Sequence, residues 1–176
     1  MVVVIDLQPT FLNGIFEAER VLDRSEFLIR TARLAGVPVL ATEQYPSRMG
    51  GTHESLSGLI ERTGVVGKMS FSCAACGPFV SLLESTGRRQ VVLVGIETHI
   101  CVSQTAHDLL ARGYEVVVCP DAVSARTIDR HKLGMERIRD AGAIPAHSES
   151  VAYEWMGSAD NEKFREMLKL VKGAQY

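Results

Sequence analysis

The fold is decided by residues 91–106, which are Val91-Val92-Leu93-Val94-Gly95-Ile96-Glu97-Thr98-His99-Ile100-Cys101-Val102-Ser103-Gln104-Thr105-Ala106. The first four are apolar, as in a strand that helices cover on both faces, and Gly95 then opens a turn. A helical pattern runs from Ile100 to Arg112, with Cys101 in its first turn. A buried strand that leads through a turn into a helix predicts a parallel α/β sheet.

Cys101 is a candidate nucleophile because of this position. Backbone N–H groups at a helix start have no partner within the helix, and the helix dipole is positive there. Such a field favours the reactive thiolate and lowers a thiol pKa from about 8.5 toward about 3.5–7.5. The alternative is a buried structural cysteine, and position alone does not separate the two interpretations.

Apolar runs alternate with helical patterns along the whole chain. We predict strands at Met1–Ile5, Val37–Ala41, Gly64–Gly67, Gln90–Val94, Tyr114–Val118 (ended by Pro120-Asp121) and Ala143–Pro145. We predict helices at Glu17–Ala35, Ser55–Ile60, Gly77–Ser85, Ile100–Arg112, Asp129–Ala141 and Asn161–Val171. This alternation predicts one α/β domain over residues 1–176, with three α/β/α layers and about six mostly parallel strands. Such sheets bind ligands beyond the carboxyl ends of their strands.

The overall composition is that of a globular protein, and its charge pattern favours a small substrate over a polymeric one. Among 176 residues, 46% are hydrophobic and 23% charged, and the net charge of −2 comes from interspersed acidic and basic residues. No basic run indicates a nucleic-acid partner, and no apolar run is long enough for a membrane span. The five apolar residues before Asp6 carry neither the basic region nor the small-residue cleavage site of a secretory signal, so we expect a cytoplasmic protein. The four cysteines do not form a disulfide framework, and we assign the Cys73–Cys76 pair to packing.

Two ionisable residues follow predicted strands, as Cys101 does. Asp6 ends the first apolar run, where desolvation raises a carboxyl pKa toward a value useful for a general base. Lys68 follows the third strand, and a buried lysine there would need an anionic partner. The alternatives are a turn or capping acid and a surface lysine. Together the three residues predict a base, an orienting cation and a nucleophile that attacks a carbonyl carbon.

Three motifs in order resemble the isochorismatase-like cysteine hydrolases, which include nicotinamidases and N-carbamoylsarcosine amidases. The motifs are Val4-Ile5-Asp6-Leu7-Gln8 with Phe11, Lys68 before Ser70-Phe71, and Gly95-Ile96-Glu97-Thr98 leading to Cys101-Val102 and Thr105-Ala106. The resemblance covers essentially the whole chain and implies a Rossmann-like fold. Thr42-Glu43-Gln44-Tyr45-Pro46 is most similar to the isochorismatase domain-containing branch.

The resemblance implies that Asp6, Lys68 and Cys101 are catalytic. It also implies a cis peptide bond between Ile96 and Glu97, with the Glu97 and Cys101 amides as an oxyanion hole, and a homo-oligomer. The chain departs from nicotinamidases because His53 is isolated from any Asp-x-His group, so we predict no metal and no other cofactor. Isochorismatases that cleave a vinyl ether typically lack the cysteine, so its presence here favours acyl transfer.

Other side chains near these motifs are candidates for substrate contacts. Gln44, Tyr45 and Phe71 would supply one amide and two aromatic walls, or else they pack within loops. We expect His99 to be an exposed or capping residue rather than a second base. The sequence as a whole predicts a cysteine-dependent hydrolase of a small amide, ureido or related carbonyl compound. The rival interpretation is a non-catalytic oligomeric interaction protein that retains the three residues as a relic.

Overall fold

The computed structural model describes residues 1–174 and contains one six-stranded parallel sheet. The strands lie in the order β3-β2-β1-β4-β5-β6. Their bounds are β1 Val2–Ile5, β2 Val39–Gln44, β3 Val65–Lys68, β4 Gln90–Ile96, β5 Glu115–Ser124 and β6 Ile144–Pro145. The predicted α/β class and strand number are therefore confirmed, and every strand pair is parallel.

Helices cover both faces of the sheet. Their bounds are α1 Pro9–Leu12, α2 Ala18–Leu34, α3 Pro46–Met49, α4 Glu54–Ser57, α5 Gly77–Ser85, α6 Ser103–Ala111, α7 Ile128–Asp140, α8 Ser148–Met156 and α9 Phe164–Gly173. Val2 and Val4 of β1 pack in one apolar core with α2, α8 and α9, whereas Val3 and Ile5 pack in a second core with α5, α6 and α7. This alternation follows from the two-residue period of a strand and gives the predicted three layers. None of the helices within residues 1–174 has the length and apolar character needed to cross a membrane.

The structure corrects one predicted strand end and adds one helix that the sequence analysis missed. We predicted that Pro120-Asp121 ends the fifth strand, but β5 continues to Ser124. The register shifts between β4 and β5 there, and a bulge tolerates a proline because it needs no N–H donor at that point. The sequence analysis assigned no element to Ser148–Met156, where α8 begins with the Ser148 N–H donating to the Asp121 carboxylate at 3.0 Å.

The strand order reverses between β1 and β4, and this defines the position of the site. From β1 the chain continues toward β2 and β3, and from β4 it continues toward β5 and β6 on the other side. Ile5 pairs with Gly95 at the carboxyl ends of these strands. Gly95 has φ +113°, and a Cβ there would lie 2.1 Å from the Ile5 carbonyl oxygen, so only glycine fits. The loops that follow β1 and β4 diverge here and leave a crevice.

Candidate functional site

Asp6 and Lys68 meet in a buried ion pair at the carboxyl edge of the sheet. Asp6 directly follows β1 in a left-handed conformation, φ 54°, which Asp tolerates better than most residues. Lys68 is the last residue of β3, and its side chain is 0% exposed. Its Nζ lies 2.7 Å from Asp6 Oδ2. The strand-end positions seen in the sequence thus become one contact across β2.

The Lys68 ammonium is saturated by its neighbours. Besides Asp6, Nζ donates to Gln44 Oε1 at 2.6 Å and to the Ser70 carbonyl at 3.2 Å. The Cys101 Sγ lies 3.9 Å from the same Nζ. An ammonium has three hydrogens, so the three oxygens and the Cys101 sulfur share them.

Thr42 is a site residue that the sequence analysis missed. Its Oγ1 donates to Asp6 Oδ1 at 2.8 Å, and its side chain is buried on β2. The two carboxylate oxygens of Asp6 therefore accept from different donors, Thr42 and Lys68. The predicted second strand ended at Ala41, although β2 extends to Gln44. An extended prediction would have brought Thr42 to the same edge as Asp6.

Cys101 lies in a π turn, Thr98–Val102, that precedes α6, and not in the first turn of an α-helix. The thiol is buried, and burial raises its pKa to about 12. The Asp6 carboxylate adds to the rise through its charge and a hydrogen bond, and the Lys68 charge opposes it. The prediction of a lowered thiol pKa was therefore wrong, because burial and the adjacent carboxylate outweigh the helix-start field. Burial thus favours the protonated thiol in the resting protein.

The π turn is fixed from behind by α7. Thr98 Oγ1 and His131 Nδ1 are 3.0 Å apart, and both residues are buried. Burial lowers the pKa of His131, which favours its neutral form. Gly134 of α7 packs so closely that a Cβ there would lie 2.9 Å from the His99 backbone nitrogen. The backbone around Cys101 therefore has little room to move toward α7.

A cavity of about 110 Å³ opens above the thiol. The residues that line it are Asp6, Phe11, Gln44, Phe71, Ile96, Glu97, Ile100 and Cys101. Gln44 and Phe71 thus lie where the sequence analysis expected. Tyr45 does not, because its left-handed backbone, φ 45°, turns its ring toward Arg48, 5.9 Å away, in a separate depression. Phe11 and Ile100 supply apolar walls that the sequence analysis missed.

Gln8 joins two of the loops around the cavity. Its buried side chain accepts from the Gln44 N–H at 2.7 Å and donates to the carbonyls of Gln44 and Gly50, at 3.1 and 2.6 Å. The loop after β1 is thereby bonded to both ends of the segment after β2. Gln44 in turn contacts Lys68, so the hydrogen bonds continue to β3.

Glu97 and Arg126 form an ion pair at the cavity wall. The peptide bond between Ile96 and Glu97 is cis. The Glu97 Oε2 accepts from the Arg126 side chain at 3.0 Å and from its backbone N–H at 3.2 Å. His99 lies beside this pair, outside the set of residues that line the cavity, and burial lowers its pKa.

The remaining cysteines are free thiols, and Cys73 is also near the site. Burial raises the pKa of Cys73 to about 11, with the Asp6 charge adding to the rise. Cys76 is partly exposed and packs against Gly67. Over residues 1–174, no group of three or more His, Cys, Asp or Glu side chains could hold a metal ion.

A sequence model described as the isochorismatase domain matches residues 1–150. The chain belongs to the isochorismatase family. The secreted isochorismatase effector Isc1 of Phytophthora sojae is 38% identical over 175 residues, which are 96% of this chain and 82% of that protein. The isochorismatase domain-containing protein 1 of Salmo salar is 34% identical over 96% of this chain, and the chain spans 59% of that relative's length.

A solved structure extends the comparison from sequence to fold. The MAR1 ribonuclease of Caenorhabditis elegans superposes with a TM-score of 0.92 at 36% identity, covering 99% of this chain and 91% of that one. The isochorismatase-like superfamily indicated by the sequence motifs is thus confirmed.

Proposed function

We propose that this isochorismatase-family chain is a cysteine-dependent hydrolase of a small amide, ureido or related carbonyl compound. The proposal rests on one observation: Cys101 and Asp6 lie together on the wall of an apolar cavity, with Lys68 contacting both. A thiol, a carboxylate and a cation in this arrangement can act as nucleophile, general base and orienting group.

The proposed reaction begins with a protonated thiol. Cys101 Sγ attacks the carbonyl carbon while its proton passes to Asp6, because burial makes a free thiolate unfavourable before substrate arrives. The carbonyl oxygen becomes an oxyanion, which we assign to the backbone N–H groups of Glu97 and Cys101. The carbon–nitrogen bond then breaks, and Asp6 returns the proton to the leaving amine.

Hydrolysis of the thioester completes the cycle. Water attacks the acyl carbon and gives a proton to Asp6, the carbon–sulfur bond breaks, and the acid product leaves. Asp6 then returns the proton to Cys101. Lys68 keeps the Asp6 carboxylate in place in both half-reactions, and Thr42 fixes its second oxygen.

The decisive experiment is the Cys101→Ala variant, assayed for hydrolysis of a panel of small amides and ureido compounds. We expect turnover to be lost with the circular dichroism spectrum unchanged, and an acyl adduct on Cys101 to be trapped in the parent by rapid quench and mass spectrometry. Cys76→Ala is the matched control and should retain turnover. Retained hydrolysis in Cys101→Ala would contradict the proposal and favour the non-catalytic interaction protein.

The name of the Caenorhabditis elegans relative includes a ribonuclease activity. We favour a carbonyl substrate for the present chain because a phosphodiester carries a negative charge, and the ionisable residues that line the cavity are two carboxylates and a thiol. Cleavage of RNA by the parent that disappears in Cys101→Ala would reverse this assignment.

We also propose a cytoplasmic homo-oligomer. The homo-oligomer is supported by the exposure of two apolar side chains on the β6 side of the sheet, Leu133 at 66% and Ile144 at 58%. Burial of such side chains between copies would remove them from water. Sedimentation velocity tests this: a monomer at micromolar concentration would contradict it. Cell fractionation tests location, since one relative is by name a secreted effector.

A further inference from the structure

The size and charge of the cavity above Cys101 restrict what can enter it. Its volume is about 110 Å³, whereas pockets for drug-sized ligands are about 300–1,000 Å³. The group that enters beside the thiol is therefore smaller than a drug-sized ligand.

The walls that face this group are mainly apolar. Phe11, Phe71, Ile96 and Ile100 make up half of the lining residues. Apolar walls stabilise a ligand by removing apolar surface from water, and they penalise a charged group that loses its hydration without a partner. An aliphatic acyl group fits these walls.

The lining residues include two carboxylates, Asp6 and Glu97, and no cation. Each carboxylate is paired with a cation that is not among the lining residues: Lys68 for Asp6 and Arg126 for Glu97. Lys68 already donates to three oxygens of the protein. An incoming anion would therefore lose its hydration without finding an unpaired cation among the lining residues, whereas an amide N–H would find acceptors.

We propose that the Cys101 cavity selects short, uncharged amides with an apolar acyl group and rejects carboxylate-bearing compounds of equal size. This inference rests on the proposed function and specifies its substrate class. Glu97 contributes through its side-chain charge, separately from the role assigned to its backbone N–H.

Two alkylating reagents of nearly equal size test the charge preference directly. Iodoacetamide is uncharged and iodoacetate is an anion, and in both a thiolate displaces iodide to form a carbon–sulfur bond. We would measure the rate of each at Cys101 by peptide mass spectrometry, with partly exposed Cys76 in the same sample as the internal reference. Relative to Cys76, we expect Cys101 to prefer iodoacetamide by at least about tenfold. Equal preference at the two cysteines would overturn the inference.

A Glu97→Gln variant tests the source of the preference. It removes the charge of one lining residue and leaves Arg126 without its ion-pair partner. The preference of Cys101 for iodoacetamide over iodoacetate should therefore decrease severalfold. Glu84→Gln on α5, outside the lining residues, is the matched control and should leave the preference unchanged. An unchanged preference in Glu97→Gln would contradict the role of this side chain.

Protection by competitors that do not alkylate thiols tests size and apolar character. Isobutyramide and oxamate have the same number of non-hydrogen atoms, and benzamide is larger. We expect isobutyramide to slow alkylation of Cys101 but not of Cys76, at a concentration at least about tenfold lower than oxamate or benzamide requires. No protection by isobutyramide, or equal protection by oxamate or benzamide, would overturn the inference. Loss of hydrolysis in Cys101→Ala is a separate result, so the selectivity can fail while the proposed function stands, and the reverse.

Discussion

Asp6 Oδ2 and Lys68 Nζ lie 2.7 Å apart with almost no exposure to solvent, although 61 residues separate them along the chain. The desolvation of two charges opposes their attraction, so the pair adds little net stability as a unit. Removal of one partner has a different effect, because the other charge stays buried alone. The pair thus makes the fold sensitive to changes in the site itself.

A Lys68→Met variant should therefore be strongly destabilised, by about 3–5 kcal/mol. The double variant Asp6→Asn/Lys68→Met should recover much of that loss without recovering hydrolysis, since it removes both buried charges. Urea unfolding followed by fluorescence measures the free energy of unfolding of both variants. Arg30→Met is the matched control: it breaks a partly exposed pair with Glu26 and should change the free energy of unfolding by no more than about 0.5 kcal/mol. A double variant less stable than Lys68→Met would contradict this account.

Thr42→Val should impair hydrolysis more than its effect on stability suggests. It preserves shape but removes the hydrogen bond to Asp6 Oδ1, and hydrogen bonds to charged groups contribute about 1.5–3 kcal/mol. If that bond holds Asp6 in its productive orientation, kcat should fall about 10- to 100-fold.

Thr31→Val supplies the control for this prediction. The Thr31 hydroxyl is buried in α2 and donates to the Phe27 carbonyl at 2.9 Å, away from the cavity. The Thr31→Val variant should lose about 0.5–1.5 kcal/mol of stability yet retain kcat. A parallel loss of activity in both variants would assign Thr42 a purely structural role.

Gly134→Ala should disturb Cys101 through the backbone of the π turn. The added methyl group would lie 2.9 Å from the His99 nitrogen and 3.0 Å from Thr98 Cγ2, so α7 or the turn must shift. We expect a cost of about 1–3 kcal/mol and a severalfold change in the alkylation rate of Cys101. Gly173→Ala in α9, where a Cβ meets nothing within 4 Å, should be neutral or stabilising. Native reactivity in a folded Gly134→Ala protein would contradict the coupling.

Alkylation of Cys101 should depend on pH without levelling off near neutrality. Because burial and Asp6 raise the thiol pKa to about 12, the thiolate fraction should increase about tenfold per pH unit from pH 7 to 10, whereas free cysteine levels off above its pKa of about 8.5. Asp6→Asn removes the opposing carboxylate, so the thiol pKa falls and the rate at pH 8 rises. Iodoacetamide kinetics with peptide mass spectrometry measure the pH dependence in the parent protein and the rate in the Asp6→Asn variant. A plateau below pH 8.5 in the parent would be inconsistent with a buried thiol.

Much of the arrangement of the candidate site was predictable because the carboxyl ends of parallel strands lie at the same edge of a sheet. Asp6 and Cys101 follow neighbouring strands, and apolar runs locate those strands well. Lys68 belongs to the same edge two strands away. The residues alone predicted these positions and the kind of chemistry they permit.

The remaining features depend on contacts that sequence spacing does not report. Phe11 and Ile100 become cavity walls through loop conformation, and Tyr45 leaves the cavity through its own backbone angle. The direction of the Cys101 pKa shift depends on burial, which a helix-start argument omits. The start of α8 depends on Asp121, which is 27 residues earlier in the chain.

Gln8 has a consequence for motion around the cavity. Because one buried amide bonds to Gln44 and Gly50, the loops after β1 and β2 cannot separate without breaking three hydrogen bonds together. Local opening of this rim is therefore a cooperative event, and the amide proton of Gln44 should exchange with solvent as slowly as those of the central strands. Phe71, the more exposed of the two aromatic side chains that line the cavity, takes no part in these hydrogen bonds, so we expect ligands to enter past it.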